Sequence, residues 1–123
     1  MSEIAKGPGD FAWIDLTLRD PSGVKSFYKN VCGWTFSDHD MGDYADTNVH
    51  NAAGDVIAGI CHAKGDNSGM PPVWMPYVLV PSLRDAVDAA TQVGGHVVQN
   101  RGSFAILKDP SGAHIAVYEA SGQ

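Results

Sequence analysis

The stretch FAWIDLTL alternates strictly, so that Trp13, Asp15 and Thr17 share one face of a strand while Ile14, Leu16 and Leu18 share the other. Asp15 is the residue in this stretch that can do chemistry. A carboxylate on the inner face of a strand is costly to desolvate unless it is paired, hydrogen-bonded or protonated, and such groups serve as general bases or cation sites. Five histidines could join it. His39, His50, His62 and His96 fall in loops, hairpins or strand ends, where a lone histidine is ordinarily a surface residue. His114 stands within a strand pattern and could transfer a proton or bind a ligand. No two histidines have the tight spacing of a local metal motif. Cys32 and Cys61 each sit in an apolar stretch and read as small buried hydrophobes rather than a redox pair.

The elements that must position these residues follow from the periodicities. After the first strand, Asp20 offers an N-cap and Pro21 suits the first helical position. Val24, Phe27, Tyr28 and Val31 recur at helical spacing before Gly33 stops the helix. WTFS, DYADTNVH and DVIAGICHA read as three short strands, the last two joined by the turn AAGD. KGDNSGMPP is a linker. Beyond it MPYVLV alternates, and Ser82 with Asp85 marks a helix start. Leu83, Ala86, Val87, Ala90 and Val93 make one helical face, and Gly94 with Gly95 ends it. HVVQN, FAILK and HIAVYEA are three more strands, the last two joined by a DPSG turn.

The second half thus repeats the order of the first. Leu16 matches Val78, Leu18 matches Val80, and Gly33 matches Gly95 at a steady offset of about 62 residues, whereas Gly54 and Gly112 are about 58 apart. DPSG occurs twice, at Asp20 before a helix and at Asp109 in a hairpin.

Composition bounds the function. The 123 residues are 44% hydrophobic, enough for one domain with a real core. MSEIAKGPGD lacks the apolar segment of a secretory signal, and no run approaches the ~20 apolar residues of a membrane span. A cytoplasmic protein is expected. The net charge of −6 opposes a phosphate backbone, so neither nucleic acid nor membrane is an expected partner.

Taken together, WIDLTLRDPSGVKSFYKNVCGW, VIAGI, VWMPYVLVPSLRDAVDAATQVGGHV and LKDPSGAHIAVYE resemble the vicinal oxygen chelate superfamily, which holds glyoxalase I, bleomycin-resistance proteins and extradiol dioxygenases. The similarity is greatest to the branch described as predicted lactoylglutathione-lyase-related proteins. It implies an α+β fold of two βαβββ modules in one chain, sheets curled around a shared cavity and helices outside. Module one would run from about 11 to 63, the linker from about 64 to 73, and module two from about 74 to 120. Trp13, Asp15 and Thr17 would then face the cavity with Met75, Tyr77 and Leu79, with His114, Ala116 and Tyr118 on the last strand, and with Val56, Ala58 and Ile60 on its counterpart.

Metal-dependent members place donors at positions that correspond here to Trp13, Ala58, Met75 and Ala116. None of these side chains ligates a divalent ion usefully. Glu119 has the opposite strand parity from Ala116 and is expected on the helix side or in solvent. No metal or other cofactor is therefore expected. The resemblance and the residues together point to a small organic ligand held by Trp13, Thr17, Met75, Tyr77, Ala116 and Tyr118, with Asp15 attracting a cation. The alternative is a lyase, isomerase or dioxygenase-type enzyme using Asp15 or His114 as acid or base, or a relocated metal. Glyoxalase I itself is not expected, because glutathione carboxylates would need a basic cluster and only eight Lys and Arg are present, scattered along the chain. Relatives often pair across a two-fold axis, which implies a homodimer.

Overall fold

A computed structural model of the chain describes residues 7–42, 44–65 and 68–119. MSEIAK, Asp43 of DYADTNVH, positions 66 and 67 of the expected linker, and Ala120 after the last strand lie outside the described residues. Two compact units form. One comprises residues 14–74 and the other residues 75–119 with 7–13.

Among the described residues, eight strands and two helices follow one another as β1 (Phe11–Leu18), α1 (Val24–Cys32), β2 (Thr35–Asp40), β3 (Ala45–His50), β4 (Val56–His62), β5 (Trp74–Leu79), α2 (Leu83–Gln92), β6 (His96–Asn100), β7 (Phe104–Lys108) and β8 (His114–Tyr118). This is the α+β order of two βαβββ modules. In the first the strands lie in the order β2-β3-β4-β1, in the second β5-β8-β7-β6. The opening and closing strands of each module pair in parallel and the remaining pairs are antiparallel, so the sheet is mixed. Gly9 and Asp10 join the second unit through Gly9 N–H to the Leu79 carbonyl and Leu79 N–H to the Asp10 carbonyl, at 2.7 and 2.9 Å.

The helices form where capping and periodicity require them. Asp20 opens a short 3-10 turn, Pro21–Gly23, by accepting the Ser22 N–H, and α1 follows directly. It ends at Gly33, whose φ of 73° is the left-handed value that glycine adopts without strain. Ser82 caps α2 by accepting the Asp85 N–H at 3.1 Å, as its spacing predicts. Glu119 adds a second cap, its Oε1 accepting the Leu83 N–H at 2.6 Å. A carboxylate there meets the positive end of the helix, which accounts for Glu119 lying on the helix side of its sheet.

Each helix packs on one face of its own sheet. In the first unit Leu16, Val49, Ala58 and Ile60 are buried beneath Val24 and Tyr28 of α1, with Ile14, Leu18 and Phe36 around them. Phe27 and Val31, which share the apolar spacing, are instead exposed. Residues 24 and 28 form the row that meets the sheet, and 27 and 31 form a row about 60° around the helix from it. Trp34 and Trp74 complete this core against Tyr28, and the Trp74 indole N–H donates to the Tyr28 hydroxyl at 3.0 Å. In the second unit Leu83, Ala105, Leu107 and Val117 are buried with Ala86, Val87 and Ala90 of α2, while Val93 is exposed beyond the helix end.

One expectation about the first module is corrected. The resemblance places Val56, Ala58 and Ile60 on the face of Asp15, yet Leu16 pairs with Ile60 and Asp15 with Gly59. Ala58 and Ile60 therefore lie on the helix side. The cause is a bulge: His50 pairs with Val56 but Val49 pairs with Ala58, so Ile57 is an extra residue in β4. In β7 and β8 the register runs unbroken from Lys108 and His114 to Phe104 and Tyr118. Up to Val56 the two closing strands match at the offset of the turn glycines, and beyond the bulge Gly59, not Ala58, corresponds to Ala116.

Candidate functional site

The face of the first sheet opposite α1 is polar, and the register states its makeup. One row across the four strands reads Ser37, Asn48, Gly59 and Asp15, and the next reads His39, Asp46, Cys61 and Thr17. Thr17 is buried and Asp15 half-buried. The Cys61 thiol donates to Asp46 and lies in the field of both carboxylates. Burial first, then the charges of Asp15 and Asp46, push it up to about 12. Cys61 therefore keeps its proton at neutral pH and acts as a donor, not a nucleophile. Asp46 is itself fixed: its Oδ1 accepts the His62 backbone N–H at 2.9 Å and lies 3.3 Å from His62 Nδ1. The His62 ring meets the edge of Tyr44, over which Lys64 is stacked.

The corresponding face of the second sheet is apolar. Tyr77 pairs with Ala116 and Leu79 with Tyr118, and Ile106 and Phe104 continue the two rows on β7. Met75, Tyr77, Ile106 and Ala116 are all buried. Tyr77 stands edge-on to Phe104, with 5.6 Å between ring centres, and Arg101 lies over the Phe104 ring. His114 is half-exposed at the end of this ladder, opposite Lys108.

The residues singled out from the sequence thus fall into two sets. Asp15 and Thr17 belong to the polar face of the first unit, where Cys61 and Asp46 are their neighbours rather than an aromatic wall. Met75, Tyr77, His114, Ala116 and Tyr118 share one face of the second unit, and Trp13, half-exposed, ends the segment 7–13 that belongs to it. Trp74 is a core residue of the first unit. The partnerships of Cys61 with Asp46 and of Ser37 with His50 were not read from the sequence, since they join residues distant along the chain. The signal present was the alternation of Asp46, Asn48 and His50 in β3, which marks one polar face.

The usual metal positions of such a fold, corrected for the bulge, are Trp13, Gly59, Met75 and Ala116. An indole, a bare backbone, a buried thioether and a methyl group do not fit a hard or borderline divalent ion, which wants several N, O or thiolate donors. The nearby thiol is held protonated. Among the described residues no group of three or more His, Cys, Asp and Glu is placed to hold a metal ion.

Comparison with known proteins agrees with this architecture. Residues 12–118 match the model of the glyoxalase-like domain, and the chain belongs to that family, within the vicinal oxygen chelate superfamily. It is 29% identical over 117 residues to CFP32 of Mycobacterium bovis, named as a candidate glyoxylase, with 89% of this chain and 45% of that protein covered. It is also 29% identical over 132 residues to the anthracycline biosynthesis protein DnrV of Streptomyces peucetius, covering 90% and 47%. The chain spans about half the length of both relatives. Among solved structures, methylmalonyl-CoA epimerase from Mycobacterium tuberculosis shares the fold, with a TM-score of 0.54 at 13% identity over 95% of this chain and 92% of that one.

Proposed function

We propose that this protein binds a small organic molecule through the helix-free polar face of its first unit, without the metal its superfamily commonly uses. The observation that carries the reading is the pairing of carboxylates with a neutral donor: Asp15 and Asp46 flank a thiol held protonated, next to Thr17. Such a patch favours a cationic or hydrogen-bond-donating group. The face of Tyr77, Phe104 and Met75 in the second unit, taken by itself, suits an aromatic or aliphatic group. One relative is named for anthracycline biosynthesis, which is in keeping with a small organic ligand. The same reading takes the protein as a cytoplasmic homodimer that engages neither nucleic acid nor membrane, in keeping with its acidic charge.

The test is a thermal-shift screen of planar cationic compounds, followed by calorimetric titration of the best. A ligand present at a hundred times its Kd raises stability by about 2.7 kcal/mol. Asp15→Asn is expected to weaken binding of the cation at least tenfold while leaving the unliganded melting temperature within a few degrees. Equal affinity in the variant would remove Asp15 from the site. Turnover of the bound compound, lost in Asp15→Asn or His114→Gln, would favour the enzymatic reading instead.

A further inference from the structure

We propose that Ser37 is a nucleophile activated by His50, so that the β2–β3 ladder carries an acyl-transfer centre at the far end of the polar face that holds Asp15. His50 Nδ1 lies 3.0 Å from the Gly54 carbonyl oxygen, and its Nε2 lies 2.7 Å from Ser37 Oγ. A carbonyl can only accept, so in the neutral ring Nδ1 carries the proton. That leaves a lone pair on Nε2, and the Ser37 hydroxyl must donate to it. This is the geometry of a nucleophile, a base and a group that orients the base. Here a backbone carbonyl takes the place a carboxylate holds in the serine hydrolases.

The orienting carbonyl is fixed. Asn51 Oδ1 accepts the N–H groups of Ala53 and Asp55, and Asn51 N–H and the Asp55 carbonyl close the hairpin at 3.0 Å. Gly54 sits within that turn at φ 87°, which glycine adopts freely. Ser37 is exposed, as a nucleophile must be to meet a substrate. Asn48 is its direct partner across the ladder and on the same face. That pairing makes its carboxamide the side chain we assign as donor to a developing oxyanion.

The reaction class is transfer from an activated, preferably aryl, ester. Ser37 Oγ attacks the acyl carbon as its proton passes to Nε2, and the Gly54 carbonyl holds the resulting imidazolium. The bond to the leaving group breaks, and the departing oxygen takes the proton from Nε2. Water then attacks the acyl-serine, gives a proton to Nε2, and releases the acid with Ser37 restored. No cofactor is consumed.

The experiment uses the full chain and a fluorophosphonate probe, read by intact mass and peptide mapping. A phosphonyl adduct on Ser37 is expected, absent in Ser37→Ala and formed about a hundredfold more slowly in His50→Gln, the range of one general base. Asn48→Ala should also slow it. No adduct at Ser37, or equal rates in the wild type and in a folded His50→Gln, would mean an ordinary surface hydroxyl and overturn the proposal. Should His50→Gln melt at a lower temperature, Ser37→Cys supplies an independent reading in the intact frame. Its new thiol should be alkylated by iodoacetamide about tenfold or more faster than the exposed Cys32, and equal rates would count against activation.

Discussion

At the residue scale, two side chains have reactivities set by their surroundings rather than by their type. Cys61 is held protonated by burial and by Asp15 and Asp46, while Cys32 is exposed. Titration of the native protein at pH 8 with a disulfide reagent should therefore modify one thiol per chain promptly and the second only on unfolding. Prompt reaction of both would mean that the polar patch is open and its thiol ionisable. Asp109 is perturbed in the other direction. Its carboxylate accepts the Ser111 hydroxyl and the backbone N–H groups of Ser111 and Ala113, which hold it below the ordinary value of 3.8, the hydroxyl contributing most. Asp20 repeats the pattern with Ser22. A carboxylate whose pKa is lower in the folded chain stabilises fully above its unfolded value, and the gain is lost as pH falls through the folded one. Denaturation midpoints should accordingly fall below about pH 4, and Asp109→Asn should show a shallower fall, because the carboxamide still accepts the turn's hydrogen bonds but does not titrate.

At the element scale, both copies of DPSG use one local device. The aspartate accepts from the serine two residues on, whether the chain then enters a helix or turns a hairpin. The residues C-terminal to the motif decide between the two, which is why the tetrapeptide alone carried no secondary structure. The ends of α2 were legible in Ser82, Asp85 and Gly95, where Gly95 N–H closes on the Ala90 carbonyl at 2.8 Å. The contribution of Glu119 was legible only as parity. Its partner lies 36 residues away, and no local pattern announces a cap borrowed from the far end of a module. Replacing it with Gln keeps an acceptor and loses the charge, whereas Ala leaves the Leu83 N–H to water. Chemical denaturation should show Glu119→Ala less stable by about 1 kcal/mol, with Glu119→Gln intermediate. No change in either variant would mean that Ser82 alone caps α2.

At the scale of the whole molecule, the order of elements, the duplication and the family could be read from alternation, capping residues and a constant offset, because each is written locally or repeated. The makeup of the polar face was not, because it depends on which strands lie side by side and in what register. Asp15 was found by its own chemistry, but Asp46 and Cys61 join it only through the pairing of β1 with β4 and of β4 with β3. Of the four positions that the resemblance assigns to a metal, the bulge replaces Ala58 by Gly59, which adds no donor. Dialysis against a strong chelator should therefore leave the melting temperature of purified protein unchanged within about 1 °C, and elemental analysis should find zinc, nickel, iron and manganese each below about a tenth of an equivalent. Near-stoichiometric metal whose removal lowers the melting temperature would place a ligand set elsewhere in the chain.

The extra residue Ile57 has a meaning for anyone who would treat the halves as interchangeable parts. A chimera carrying two copies of the second module's closing strand, or a symmetrised sequence averaged over both halves, shifts the phase of β4 by half a pleat unless one position is deleted with it. A β4 that kept Ile57 but paired without the bulge would turn Ala58 and Ile60 away from Tyr28 and bring Gly59 and Cys61 toward it. The duplicated modules have diverged in the length of a strand as well as in side chains, so an exchange between them must restore the phase of the sheet as well as its residues.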